Sequence, residues 1–412
     1  MSKTWKAQLE YNLLRWLRGP KSNLPIPGVH SALGTFWNKY VFKIPHRGLG
    51  LDEVYISPTY NGVVKSRKEP ALKTRLTKGV ETASPLQASN MQTVMTYSLA
   101  NKLIETGHVP ILHRYFGTFW QSKFLKKQPN KAFGCVGVRD PKEEAETAFK
   151  LLDKGALGIC IETLHFDTWR GLEVLAKIKK VRPDAEVLVS NIVTYEATKR
   201  AINLGATGIK VGWGPGSPCT SRELAMGVPQ ATAIAACRAA AEPWDVPICA
   251  DGGIKGSFQY NIAIALGAET AMMGQFFART IESANGKLNP EDYPYNEASE
   301  DVQMVKKDPD KAPYGLLIEY FGEASEKAWR RANPEKEPTN IVFEGAGKWV
   351  PVDRDFKQVD TSLNGGLKTI MANVGARTIS EFHKIVYQQA LIHEATAGYH
   401  AERQTRFDKN AV

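Results

Sequence analysis

The stretch VLVSNIVTYEATKRAINLGATGIKVGWG, residues 187–214, joins two apolar runs through one segment of helical period. VLVSNIV (187–193) and GIKVGWG (208–214) carry the β-branched and aliphatic residues that suit strands. Between them, TYEATKRAINLGA puts Ala197, Ala201, Ile202 and Leu204 on one face, and Gly205 supplies a stop. A strand, a helix and a second strand in this order make the crossover that parallel strands need.

The same alternation runs outward in both directions from about residue 83. Strands are expected at 85–91, 109–115, 133–138, 157–162, 187–193, 208–214, 247–253 and 270–277. Eight such units predict an α/β fold, a closed (β/α)8 (TIM) barrel whose chemistry sits on the loops that follow the strands. An open doubly wound sheet is the competing arrangement, but no strand is followed by the GxGxxG fingerprint. Asn90 to Val94, His113, Arg114, Glu162 to Asp167, Asn191, Asp251 to Gly253, Gly274 and Gln275 then fall on one rim.

Composition narrows the classes. The 412 residues are 43% hydrophobic, enough for a large core and too apolar for disorder. Five cysteines without CxxC or Cys/His spacing argue against a disulfide framework or structural zinc and fit a reducing cytoplasm. Neither a secretory h-region nor a membrane-length apolar run is present, so a soluble chain without a membrane partner is expected. A formal charge of +10 suits nucleic acid, an anionic surface or a phosphorylated small molecule. Its lysines and arginines are scattered, which favours solvated faces with a few phosphate contacts.

Two parts fall outside the repeat. Residues 1–47 form an expected helical extension, with Trp5, Leu9, Leu13, Trp16 and Leu17 on one face, read as packing against the barrel or a neighbouring subunit. The polar segment from about 286 to 352 is too long for an ordinary connection and reads as a flap with a short hairpin around IVFEGAGKWVPV. The barrel domain is placed at 48–390 and a tail at 391–412.

One rim loop stands out. In GWGPGSPCTSRE, residues 212–223, three glycines permit close backbone approach and two prolines fix the path around Cys219. An unreactive thiol in a tight turn is one reading. A nucleophile beside anion-binding amides, helped by Thr220 and Ser221, is the other.

From about residue 48 to about 390 the chain resembles the family of IMP dehydrogenases and GMP reductases. The resemblance lies in the cysteine loop and in ISPTYNGVVKSR, TRLTKGV near the barrel entrance, SNMQTV, ILHRYFGTF, SNIVT, ADGGI, MMGQFFA, YFGEASEKAW and LNGGLKTIMANVGARTISEF. It implies a barrel assembled as a homotetramer, with Cys219 attacking C2 of a purine nucleotide and a nicotinamide exchanging hydride there. It further implies that Ser217, Gly253, Gly274, Gln275 and Tyr320 surround the 5′-phosphate and that Asp251 accepts the ribose hydroxyls. A helix cap is the other reading of Asp251. Arg114, Glu162 and Asn191 are implied at the cofactor, and K+ at the carbonyls of Gly214, Gly216 and Cys219.

Within the family the reductase branch is expected: NADPH-dependent deamination of a GMP-like nucleotide, with Ser221 and Glu344 handling protons. NPEKEPTNIVFEG lacks the Arg–Tyr pair with which dehydrogenases activate water, and no paired regulatory (CBS) modules interrupt the barrel. The departures are Ser221 for a usual threonine, Glu162 and Gln92 for aspartates, and Glu323 for a methionine beside the base. Glu323 points to a deoxy or modified purine as an alternative substrate. An IMP dehydrogenase without CBS modules, using NAD, and a silent barrel binding nucleotides or nucleic acid through its charge are the remaining alternatives.

Overall fold

A computed structural model describes residues 48–288, 301–308, 313–333, 335–339 and 341–394. The expected amino-terminal extension, part of the flap and the tail beyond 394 lie outside the described residues.

The chain opens with β1 (Val54–Ile56), then β2 (Thr74–Thr77) and β3 (Val80–Thr82), which pair with each other as a hairpin. Six barrel strands follow: β4 (Leu86–Ala88), β5 (Phe133–Val136), β6 (Gly158–Glu162), β7 (Val187–Ile192), β8 (Gly208–Val211) and β9 (Ile248–Asp251). The last barrel strand is β10 (Thr270–Met273). These seven form one parallel sheet in the order β4-β10-β9-β8-β7-β6-β5.

The eighth stave, expected at 109–115, is reduced to a bridge between Ile111 and Phe133, and its chain turns into a 3-10 helix at Arg114–Phe116. Leu112 N donates to Phe133 O at 3.0 Å and Phe133 N to Pro110 O at 2.9 Å. Pro110 has no amide to give, and the opposite edge closes through the Gln87 side chain, whose Nε2 donates to Val109 O at 3.2 Å. The ring is thus a (β/α)8 barrel with one weak stave.

Helices are set by their caps. Thr194 accepts from Ala197 N at 3.2 Å to start Tyr195–Asn203, and Asp140 caps Pro141–Asp153. Ala197, Ala201 and Ile202 are buried as the periodicity predicts, whereas Leu204 is the C-cap and is exposed. The strands end earlier than expected: 270–277, read as one strand, breaks at Gly274 into a short helix, Gln275–Ala278.

Parallel strands covered on both faces bury both sets of side chains. One layer lies between sheet and helices. A second fills the barrel, with Ile111, Phe133, Leu188, Cys249 and Met272. Leu76 and Val80 from the β2–β3 hairpin enter this interior, and Lys78 N donates to Thr207 O just before β8 begins. TRLTKGV therefore plugs the end where strands start, rather than lining the entrance, because its apolar side chains complete the interior layer.

The insertion after β10 forms its own antiparallel sheet from β11 (Val302–Met304), β12 (Leu316–Phe321) and β13 (Gly347–Pro351). Instead of a local hairpin around IVFEGAGKWVPV, β13 pairs with β12, which leaves 341–346 free to run along the cysteine loop. Ile392–Glu394, expected in a tail, is β14 and pairs with β1. Among the described residues no helix is long and apolar enough to cross a membrane.

Candidate active site

The strand ends open into a cavity of about 610 Å³, a size suited to small-molecule ligands. Of the site residues implied by the resemblance, all but Ser221 line it, and Ser221 lies directly behind Cys219, whereas Thr220 and the rim residue His113 do not line it.

The cysteine loop is held from two sides. At Gly212 a side chain would meet Asp251 O at 1.9 Å, so only glycine lets β8 pass this close to β9. On the other side, Thr220 N donates to Glu344 O at 3.0 Å and Ala346 N to Pro218 O at 2.8 Å. The insertion therefore delivers Glu344 to the loop: the Cys219 thiol donates to Ser221 Oγ at 3.3 Å, and that hydroxyl donates to Glu344 Oε2 at 2.5 Å. A thiol, a fully buried hydroxyl and a carboxylate form one proton path.

The floor is a buried polar network. Lys210 Nζ reaches Glu162 Oε2 at 2.7 Å, Asn90 Oδ1 at 3.1 Å and Asp251 Oδ2 at 3.3 Å. Glu162 Oε2 also accepts from Asn90 Nδ2 and Ser190 Oγ, each at 2.9 Å. Burial alone would raise the Glu162 pKa, but Lys210, Asn90 and Ser190 hold it below the usual carboxylate range. Burial opposes the charge on Lys210 too, and Glu162 with Asp251 outweighs it, leaving its pKa well above the ordinary value. Asn191 Nδ2 donates to Asp251 Oδ2 at 3.1 Å and to Gly212 O at 2.5 Å, bracing the cysteine loop against the floor. Asp251 caps no helix: the next one begins six residues later, at Ser257.

Backbone from three strand ends converges beside this floor. A side chain at Gly252 would meet Gly216 N at 3.1 Å, one at Gly253 would meet Pro215 at 3.1 Å, and one at Gly274 would strike the Tyr320 hydroxyl at 2.2 Å. Ser217 is exposed on the rim of this cradle, and Gln275 opens a helix there. Close-packed amides without side chains suit an anionic oxygen cluster. In the cysteine loop, Gly216 O already accepts from Cys219 N at 3.1 Å, which leaves it one lone pair.

Glu323 and Arg114 form the remaining wall. Glu323 Oε1 accepts from Gln92 N at 2.5 Å, so two of the four departures from the family pattern contact each other. Oε2 is enclosed without a hydrogen-bond partner among the described residues, and burial pushes the Glu323 pKa up to about 7 against the pull of the Gln92 amide and Arg114. Arg114 donates to the Tyr115 hydroxyl at 2.9 Å, and its charge resists burial through Tyr115, Glu323 and Glu162.

Lys210 escaped the reading of the sequence, although a lysine inside the apolar run GIKV is a signal, since a buried lysine needs carboxylate partners. Its Glu162 partner also lies with Cys135 and Cys160 in a group whose ligand atoms fall within 4.8 Å of one another. Lys210 already meets that carboxylate, and burial raises the Cys135 thiol far above its ordinary pKa, so the group is poorly disposed to a cation.

Comparison with known proteins agrees with this geometry. A family model described as IMP dehydrogenase / GMP reductase domain matches residues 48–404. The chain is 30% identical over 384 residues to inosine-5′-monophosphate dehydrogenase of Cryptosporidium parvum, covering 82% of this chain and 90% of the relative. The protein of the same name from Borreliella burgdorferi is 30% identical over 398 residues, covering 82% and 93%. The one from Chlorobaculum parvum is 35% identical over 251 residues, covering 61% and 48%.

Proposed function

The chain belongs to the IMP dehydrogenase / GMP reductase family, and from that premise we propose that it is an oxidoreductase working at C2 of a purine nucleoside monophosphate, in the reductive direction. The observation that carries the reading is the line from Cys219 through Ser221 to Glu344. Along it the thiol proton reaches Glu344 as sulfur bonds to C2 of a GMP-like base. The same path returns the proton to the 2-amino group, so the C2–N bond breaks with ammonia leaving and a thioimidate remaining on Cys219. A nicotinamide, when bound, supplies the hydride that C2 then accepts. Departure of the thiolate frees an IMP-like product.

Asp251 is suited to the sugar hydroxyls, and the cradle of Ser217, Gly253, Gly274, Gln275 and Tyr320 to the phosphate. Glu162, Asn191 and Arg114 would hold the nicotinamide cofactor, NADPH in this reading. Their fit is supported by a cavity floor where the Glu162 carboxylate is kept charged by Lys210. The carbonyls of Gly214, Gly216 and Cys219 would take a K+ ion, and a cytoplasmic homotetramer completes the proposal.

The assay is loss of nicotinamide absorbance with NADPH and either GMP or dGMP, with Cys219→Ala as control and mass spectrometry for the covalent nucleotide. Absence of any Cys219-dependent reaction would count against the reading. A second reading is oxidation of IMP with NAD, favoured by the name that all three relatives carry. Lack of an Arg–Tyr pair in the insertion weighs on the other side. Formation of NADH from IMP would establish the second reading in place of the first.

A further inference from the structure

Lys210 lies in β8 between Ile209 and Val211, which pack outward under the helices, so its stem runs inward through the barrel. The ammonium is almost fully buried and has three hydrogens for three oxygens: Glu162 Oε2, Asn90 Oδ1 and Asp251 Oδ2. The ammonium nitrogen also lies 3.8 Å from Met272 Sδ on β10, across the interior from β8.

The oxygens used are informative. On Glu162, the bonds from Lys210, Asn90 and Ser190 all fall on Oε2. On Asp251, the contacts from Lys210 and Asn191 both fall on Oδ2. Each carboxylate is therefore pinned by one oxygen while Glu162 Oε1 and Asp251 Oδ1 are used by none of these contacts, and both residues line the cavity. A charge taken into the interior is tolerated where its geometry is fixed by several bonds, and such supporting contacts orient the groups that touch ligand.

We propose that Lys210 is a positioning residue shared by the two halves of the cavity, pinning Asp251 for the nucleotide sugar and Glu162 for the nicotinamide cofactor with one ammonium. This rests on the functional reading given above for those two carboxylates. A residue serving only one ligand would alter one affinity. Lys210 alters both.

The test is calorimetric binding of GMP and of NADPH, and in parallel of IMP and NAD, to protein carrying Cys219→Ala so that no turnover intervenes. Lys210→Met is expected to weaken both members of the pair that binds, each by about tenfold or more, the loss typical of a hydrogen bond to a charged group. Lys210→Arg, which keeps the charge, is expected to recover part of both losses. Because Lys210→Met leaves two partly buried carboxylates without their counter-ion, the double variant Lys210→Met with Glu162→Gln removes charge from both sides and protects the fold. It should still bind nucleotide about tenfold more weakly, through the unpinned Asp251. Wild-type nucleotide affinity in a folded double variant, or loss confined to one ligand in Lys210→Met, would overturn the proposal. Lack of Cys219-dependent turnover in both directions would instead remove the functional reading while leaving these binding results interpretable.

Discussion

The Ser221 hydroxyl donates to Glu344 across 123 residues of chain, at 2.5 Å. Nothing local brings them together: Ser221 follows a barrel strand, and Glu344 belongs to the insertion that pairs back through Gly345 to Cys219. If this contact moves the thiol proton, Ser221→Ala and Glu344→Gln should each lower kcat by about a hundredfold, the usual scale of a lost acid-base group. Ser221→Thr should retain most activity. Steady-state rates with nucleotide near saturation decide it, and equal kcat in Ser221→Ala and the parent would remove Ser221 from the path.

Glu323 makes a prediction about stability and pH. Its pKa is about 7 in the folded protein, above the 4.5 of an ordinary glutamate. Between those values the folded state holds a proton that the unfolded chain has lost, so stability falls as pH rises through this window. The charged groups facing it do not titrate there: Glu162 lies below, Lys210 and Arg114 above, and burial also raises Tyr115 and Tyr320. Glu323→Gln should therefore melt higher than the parent at pH 8, with the gap closing by pH 4. Thermal melts across that range check it, and a gap that does not change with pH would show that Glu323 is not the titrating group.

Gly274 and Tyr320 offer a paired test of the cradle. A methyl group at 274 would meet the Tyr320 hydroxyl at 2.2 Å and its ring carbon at 3.1 Å. Gly274→Ala should lower both Tm and nucleotide affinity by overpacking, a cost of roughly 1–3 kcal/mol. Adding Tyr320→Phe removes the atom in closest conflict and should return most of the lost Tm. Melting curves of both singles and the double give the coupling, and simple additivity would mean that the collision is relieved elsewhere.

How much of this the sequence discloses depends on the range over which each feature acts. Periodicity places the strand-and-helix units because a helical face such as Ala197, Ala201 and Ile202 is a local property. It overstates the second stave, since the missing amide of Pro110 matters only once a neighbour seeks it. Cys219, Ser221 and Glu344 are legible as residues through resemblance, but their contact depends on β13 choosing β12 as partner, a non-local pairing. Lys210 looks like a surface charge until Glu162 and Asp251, 48 residues before it and 41 after, arrive beside it.

Arg238 separates stability from chemistry. Its guanidinium bonds Glu269 Oε1 at 2.6 Å and also pairs with Glu242, the C-cap of its own helix. Glu269 grips the start of β9 twice, its Oε2 accepting from Ile248 N at 2.8 Å and its own amide donating to Ile248 O at 3.0 Å. This lies at the end where strands begin, opposite the cavity, so it should support the barrel without touching a ligand. Arg238→Met leaves two largely buried carboxylates unpaired and should cost about 3 kcal/mol or more. Urea unfolding should show a lower midpoint, with kcat/KM unchanged at temperatures where the variant stays folded. A barrel whose strand ends move independently of its floor predicts that separation; a fall in kcat/KM at full folding would mean that strain at Ile248 travels along β9 to Asp251.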